Sequence, residues 1–178
     1  MNQRPSRRGV EMPLQALSGH GVFAGYASLF GKRDQVGDIV MPGAFSVSLK
    51  KRGANGIRML FQHDPAEPVG TWAEIRETDR GLYVLGRLDL NVQRGRELFS
   101  LLELGGIDGL SIGFRTVQAR ADKMQQLRRL IAIDLWEISL VTFPMLDGAR
   151  VGHVTSANRA LADAAFIRRP TANQHGVN

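Results

Sequence analysis

The run Leu127-Arg128-Arg129-Leu130-Ile131-Ala132-Ile133-Asp134-Leu135-Trp136-Glu137-Ile138-Ser139-Leu140-Val141-Thr142-Phe143 reads as one strand, long enough to need a bend or a bulge. Ile131, Ile133, Leu135 and Val141 recur at period two, and Glu137 falls among them. A carboxylate on such a face is costly unless it is paired or hydrogen-bonded.

Strand signals dominate on either side of this run. Val22 to Phe30 alternates loosely. Ile57, Met59, Phe61 and His63 share one period-two face, and Pro68 to Arg76 is a further strand candidate. Leu82, Val84, Gly86, Leu88 and Leu90 alternate in the next, and Ser111 to Ala119 follows. Turns are marked at 33–38, at Asp64-Pro65 and at Asp79-Arg80-Gly81. Two helices interrupt the strands. Pro42 to Arg52 opens on proline and sets Phe45 and Leu49 four apart. Asn91 to Leu104 has Asn91 as N-cap, places Leu98, Leu101 and Leu102 on one face, and stops at Gly105-Gly106. The pattern is a strand-rich α+β domain, expected as a small closed or nearly closed β-barrel with helices packed outside.

At 178 residues the chain is long enough for one domain with tails. Residues 1–12 read as a flexible basic leader, 13–150 as the folded domain and 151–178 as a flexible tail, with a short alanine-rich helix over 160–167. Hydrophobic residues make up 43% and charged residues 22%, the balance of a globular protein. The absence of cysteine excludes disulfides, cysteine nucleophiles and thiolate metal sites. No uncharged apolar run approaches ~18 residues, so no membrane partner is expected. Lys and Arg outnumber Asp and Glu by 23 to 17, but the excess is scattered in pairs. With 7% aromatic residues and no strand interleaving aromatic and basic side chains, a nucleic-acid partner is not expected.

Three polar residues stand where the local pattern wants burial: His63 ends an apolar strand face, Ser111 follows Leu110, and Glu137 lies in the long strand. Taken singly, each has an ordinary structural reading as a strand-end histidine, a turn serine or a rim carboxylate. Together they are the parts of a serine hydrolase: a hydroxyl nucleophile, a base for its proton, and an acceptor that fixes the base. Of the four histidines, His20 lies in a Gly-Ser loop while His153 and His175 fall in the weakly patterned tail, which leaves His63 as the best-placed base. Gly113 gives room for main-chain N–H groups, those of Ile112 and Gly113, to act as oxyanion donors. Gly109-Leu110-Ser111-Ile112-Gly113 also matches the G-x-S-x-G nucleophile elbow, yet the residues after it read as strand rather than helix. The match therefore supports Ser111 more than it supports an α/β-hydrolase fold.

Five blocks in order carry a family resemblance. They are Gly25-Tyr26-Ala27, then Gly37-Asp38-Ile39-Val40-Met41-Pro42-Gly43-Ala44-Phe45, then Gln62-His63-Asp64-Pro65 with Pro68-Val69-Gly70. Leu110-Ser111-Ile112-Gly113-Phe114 and Leu135-Trp136-Glu137-Ile138-Ser139-Leu140-Val141-Thr142-Phe143-Pro144 complete the set. On these the chain resembles the tailed-phage prohead (head maturation) serine proteases. The resemblance implies a fold similar to the herpesvirus capsid-assembly protease, a β-barrel ringed by helices, with His63 as base and Ser111 as nucleophile. In the herpesvirus enzymes the third member is a second histidine. The corresponding late strand here offers Glu137, which is preferred, with Asp134 as the alternative. Of the arginine pair those enzymes use near the oxyanion site, only Arg115 lies close.

The resemblance further implies a peptidase packaged in the assembling prohead, in the host cytoplasm. Its partners would be the scaffold or the scaffold-like segment of the major capsid protein, and itself, with a homo-oligomer as a candidate state. The tail is a candidate self-cleavage or scaffold-docking segment. No metal or cofactor is expected. The alternative is a non-catalytic head component that keeps the barrel and binds scaffold.

Overall fold

The computed structural model describes residues 21–122 and 124–154. The expected leader and the helix over 160–167 lie outside them. In chain order the elements are β1 (Val22–Leu29), β2 (Asp38–Val40), α1 (Ser46–Arg52) and a 3-10 turn (Ala54–Gly56). Then come β3 (Arg58–Phe61), β4 (Asp64–Glu77), β5 (Gly81–Leu88), α2 (Gln93–Glu103), β6 (Gly109–Asp122), β7 (Leu127–Val141) and β8 (Val151–Val154). The strand-rich α+β class holds. β2 and β8, of three and four residues, lie outside the strands read from sequence. β8 stands where the tail was expected to begin, and it pairs antiparallel with β1. The α2 N-cap is Val92 rather than Asn91, and Leu101 is exposed while Leu98 and Leu102 are buried.

The strands form one sheet in the order β2-β7-β3-β4-β5-β1-β8, with β6 also paired to β7. β7 is its axis. β6 lies antiparallel along one edge of β7, while β2 and β3 share the other edge, both parallel to it. Those two ladders end at Leu130 and restart at Glu137, and the chain between β2 and β3 covers the interval. The Ile133 N–H donates to the Ala44 carbonyl at 3.0 Å, and the Leu135 N–H donates to Ser48 Oγ at 2.9 Å. Ser48 is buried on α1, so its hydroxyl takes the place of a missing strand partner.

The sheet curls into a half-barrel rather than a fully laddered one. At one end two backbone bonds bring its sides together: Leu110 N–H to the Ala149 carbonyl and Val151 N–H to the Asp108 carbonyl, both 2.8 Å. The curl encloses Phe23, Met59, Trp72, Val84, Leu88, Leu110, Leu135, Ile138 and Leu140. Trp72 meets Phe23 edge to face at 5.7 Å. Gly86 makes this packing possible. A Cβ there would come within 2.6 Å of Met59 Cε, 2.7 Å of Trp72 Cζ3 and 2.8 Å of Phe23 Cζ. Gly86→Ala is expected to destabilise the fold by about 1–3 kcal/mol through overpacking, read as a lowered denaturation midpoint at unchanged slope.

Candidate active site

Glu137 does not share a face with Ile133 and Leu135, as simple alternation predicts. In the β6–β7 ladder Gly113 pairs with Glu137, but the next pair is Phe114 with Leu135. Trp136 is the extra residue of a β-bulge, and a bulge shifts the period-two phase. Ile133 and Leu135 before it, and Ile138 and Leu140 after it, therefore all face the core. Glu137 and Ser139 turn to the opposite face. On β6 the same division holds: Leu110 and Ile112 pack with the core, opposite Leu140 and Ile138. Ser111 and Gly113 lie opposite Ser139 and Glu137 on the outer face.

His63 also leaves the face its spacing predicts. β3 ends at Phe61, and Gln62 and His63 follow with φ of 53° and 60°. Two successive left-handed non-glycine residues are costly, and histidine is among the side chains that tolerate the region best. The turn is held from β7: the Gln62 N–H donates to the Leu140 carbonyl at 3.0 Å, and Gln62 Nε2 donates to Thr142 Oγ1 at 2.7 Å. The His63 N–H donates to Ser139 Oγ at 3.1 Å. This turn carries the imidazole from the core side of β3 to the outer face, where Nδ1 lies 2.6 Å from Glu137 Oε1.

The Glu137 side chain is 13% exposed, and both of its oxygens are engaged. Oε1 meets the imidazole, and Oε2 accepts a 2.7 Å bond from Ser139 Oγ. The carboxylate lies across Gly113, where any Cβ would run into Oε1. The glycine is thus demanded by the side chain opposite it. The hydrogen bond that Glu137 accepts raises the His63 pKa above its ordinary value, with burial opposing and the carboxylate's charge adding. Stability from this contact is complete below the unfolded imidazole pKa and is lost as pH rises through the raised folded value. Binding of Nδ1 by the carboxylate leaves Nε2 as the ring nitrogen free to exchange a proton.

Ser111 is buried on β6, with Ser139 as its cross-strand partner. The structure brings His63 and Glu137 into direct contact and puts Ser111 on the adjoining strand of the same face. Among the described residues no hydrogen bond joins the Ser111 hydroxyl to the imidazole. Ser111 lines a small cavity of about 60 Å³ with Ala27, Ser28, Asp38, Leu130 and Met145. Asp134 is engaged elsewhere. Arg52 Nε and Nη2 bind its Oδ1 at 3.0 and 2.9 Å, and Trp136 Nε1 binds Oδ2 at 2.9 Å. Trp136 first, then Arg52, hold its carboxyl below the usual range. Arg115 reaches the same carboxylate at 3.8 Å. Ser139 was not singled out from sequence. Its only signal was its position two residues after Glu137, on the same strand face.

The architecture is that of viral capsid-assembly proteases. The bacteriophage T4 capsid assembly protease superposes with a TM-score of 0.57 at 12% identity, covering 69% of this chain and 82% of that one. The KSHV protease, solved with a hexapeptide phosphonate inhibitor, gives 0.50 at 12% identity over 83% and 77%. The family model for the Caudovirus prohead serine protease matches residues 10–163, and the chain belongs to that family. Among relatives, the prohead protease of Enterobacteria phage HK97 is 34% identical over 140 residues, 78% of this chain and 62% of that protein. The prohead protease of Escherichia phage T5 is 30% identical over 122 residues, 67% and 56%. The chain thus spans about three fifths of the length of these relatives.

The crossing of Gly113 by Glu137 is open to a direct test. Gly113→Ala is expected to push the carboxylate off the imidazole while the protein stays folded, seen as an upfield shift or loss of the His63 Nδ1 proton signal beside an unchanged circular dichroism spectrum.

Proposed function

We propose that the chain is a serine endopeptidase of head maturation in a tailed phage or phage-like particle. It acts inside the assembling prohead, cleaving scaffold or the scaffold-like segment of the major capsid protein, and itself. The observation that carries the reading is the 2.6 Å His63–Glu137 contact beside Ser111, in a chain of the prohead protease family.

Glu137 holds the proton on Nδ1, which keeps Nε2 unprotonated and basic. Ser111 Oγ gives its proton to Nε2 and attacks the scissile carbonyl carbon. The oxyanion that forms is held by main-chain N–H groups near Gly113, and that of Ile112, like that of Leu110, points away from the β7 ladder. As the intermediate collapses, the C–N bond breaks and His63 returns the proton to the leaving amine. Water, deprotonated by His63 in turn, releases the acyl group and restores Ser111. Glu137 is favoured over Asp134 as the orienting carboxylate, because the Asp134 oxygens are held by Arg52 and Trp136.

Ser111→Ala is expected to abolish processing of capsid substrate with the fold intact, followed by gel analysis of co-expressed capsid protein. Processing at the wild-type rate would remove Ser111 from the nucleophile role. Because His63 works in its neutral form, kcat/KM is expected to rise with pH through a midpoint above the ordinary imidazole value of about 6.5. In Glu137→Gln the charge is gone and an amide oxygen accepts more weakly, while burial remains, so the midpoint should fall below that of the wild type. The pH–rate profiles of the two proteins check the sign.

A further inference from the structure

Ser139 is fully buried, two residues after Glu137, and carries a hydroxyl on a strand otherwise continued by Ile138, Leu140 and Val141. A buried hydroxyl needs partners, and this one has two from different parts of the chain. Its proton goes to Glu137 Oε2 at 2.7 Å, and its lone pair receives the His63 main-chain N–H at 3.1 Å. We propose that Ser139 is a positioning residue of the peptidase site: one hydroxyl fixes the orienting carboxylate and the backbone of the base at once. The proposal rests on the reading of His63, Glu137 and Ser111 given above.

The geometry makes the role specific. A carboxylate bound at one oxygen only is free to rotate about its terminal torsion. The bond to Oε2 removes that freedom and leaves Oε1 aimed at Nδ1. The left-handed backbone at His63 is unfavourable on its own, and its N–H points at the same oxygen. Loss of the hydroxyl therefore loosens both ends of the His63–Glu137 pair, although Ser139 itself touches no substrate. With no measurable exposure, Ser139 is also screened from acting as nucleophile, which separates it from Ser111, its partner across the ladder.

The test uses the full chain and a fluorophosphonate that reacts with activated serine. Wild type, Ser111→Ala and Ser139→Ala are compared for the maximal labelling rate and for the concentration giving half of it. Nitrogen-15 histidine spectra of each protein follow the downfield Nδ1 proton of His63. Ser139→Ala is expected to label about 10- to 100-fold more slowly, the size of loss seen when the hydrogen-bond partner of a metal-bound histidine is removed. The half-saturating concentration should be unchanged, and the Nδ1 proton should move upfield or be lost to exchange. Wild-type labelling and an unmoved Nδ1 proton in Ser139→Ala would overturn the proposal while leaving Ser111 as nucleophile. Labelling of Ser111→Ala, or none of wild type, would instead overturn the peptidase reading, and the Nδ1 proton alone would then decide the role of Ser139. If Ser139→Ala does not fold, Ser139→Cys fills the same space with a far weaker donor and is judged by the same two readouts.

Discussion

The organisation of this protein turns on seating one carboxylate, that of Glu137, at the outer wall of a curled sheet. Burying a charge on a strand is unfavourable unless its oxygens are bound. Here Oε1 meets the His63 imidazole, Oε2 meets Ser139, and Gly113 clears the ground beneath. Each condition falls on a different segment: β3's closing turn, β7 itself and β6. The sheet order that places β7 between β3 and β6 is thus what brings the His63 imidazole onto Glu137 and sets Ser111 on the adjoining strand.

Two other carboxylates on or beside β7 have cations of their own. Arg52 at the end of α1 is committed to Asp134, and Arg128 is committed to Asp38, where Nε bonds Oδ1 at 2.7 Å. Both pairs tie an element before β3 to β7, and neither reaches the imidazole. Two strong cation–carboxylate clamps thus fix β7 against α1 and β2, while the histidine meets a carboxylate with no arginine on it among the described residues. An arginine on Glu137 would have lowered the carboxylate's capacity to stabilise an imidazolium.

Much of this was legible in the sequence. Strand signals marked six of the strands, caps and i, i+4 spacing marked both helices, and together they marked the α+β class. His63, Ser111 and Glu137 stood out as polar residues where apolar ones belong. The missing part was phase. A bulge at Trp136 is set by what β6 offers opposite it, so no local pattern on β7 reveals that Leu135 and Glu137 face opposite ways. The turn at Gln62-His63 carries neither glycine nor asparagine, so nothing local announces positive φ. Ser139 escaped notice because its meaning depends on both of those features. Read alone, it is one hydroxyl in an apolar strand.

The bulge has a consequence for how such a chain can diversify. On its far side β6 and β7 stay paired, with further irregularities between Thr116 and Ala119 that reset pairing again, and β2 flanks β7 as far out as Arg128. Lengthening or trimming the hairpin beyond Arg128 in paired steps alters its reach while Gly113 and Glu137 stay opposite each other. The kink insulates the chemistry from the appendage, leaving the distal hairpin free to drift toward whatever surface it must meet.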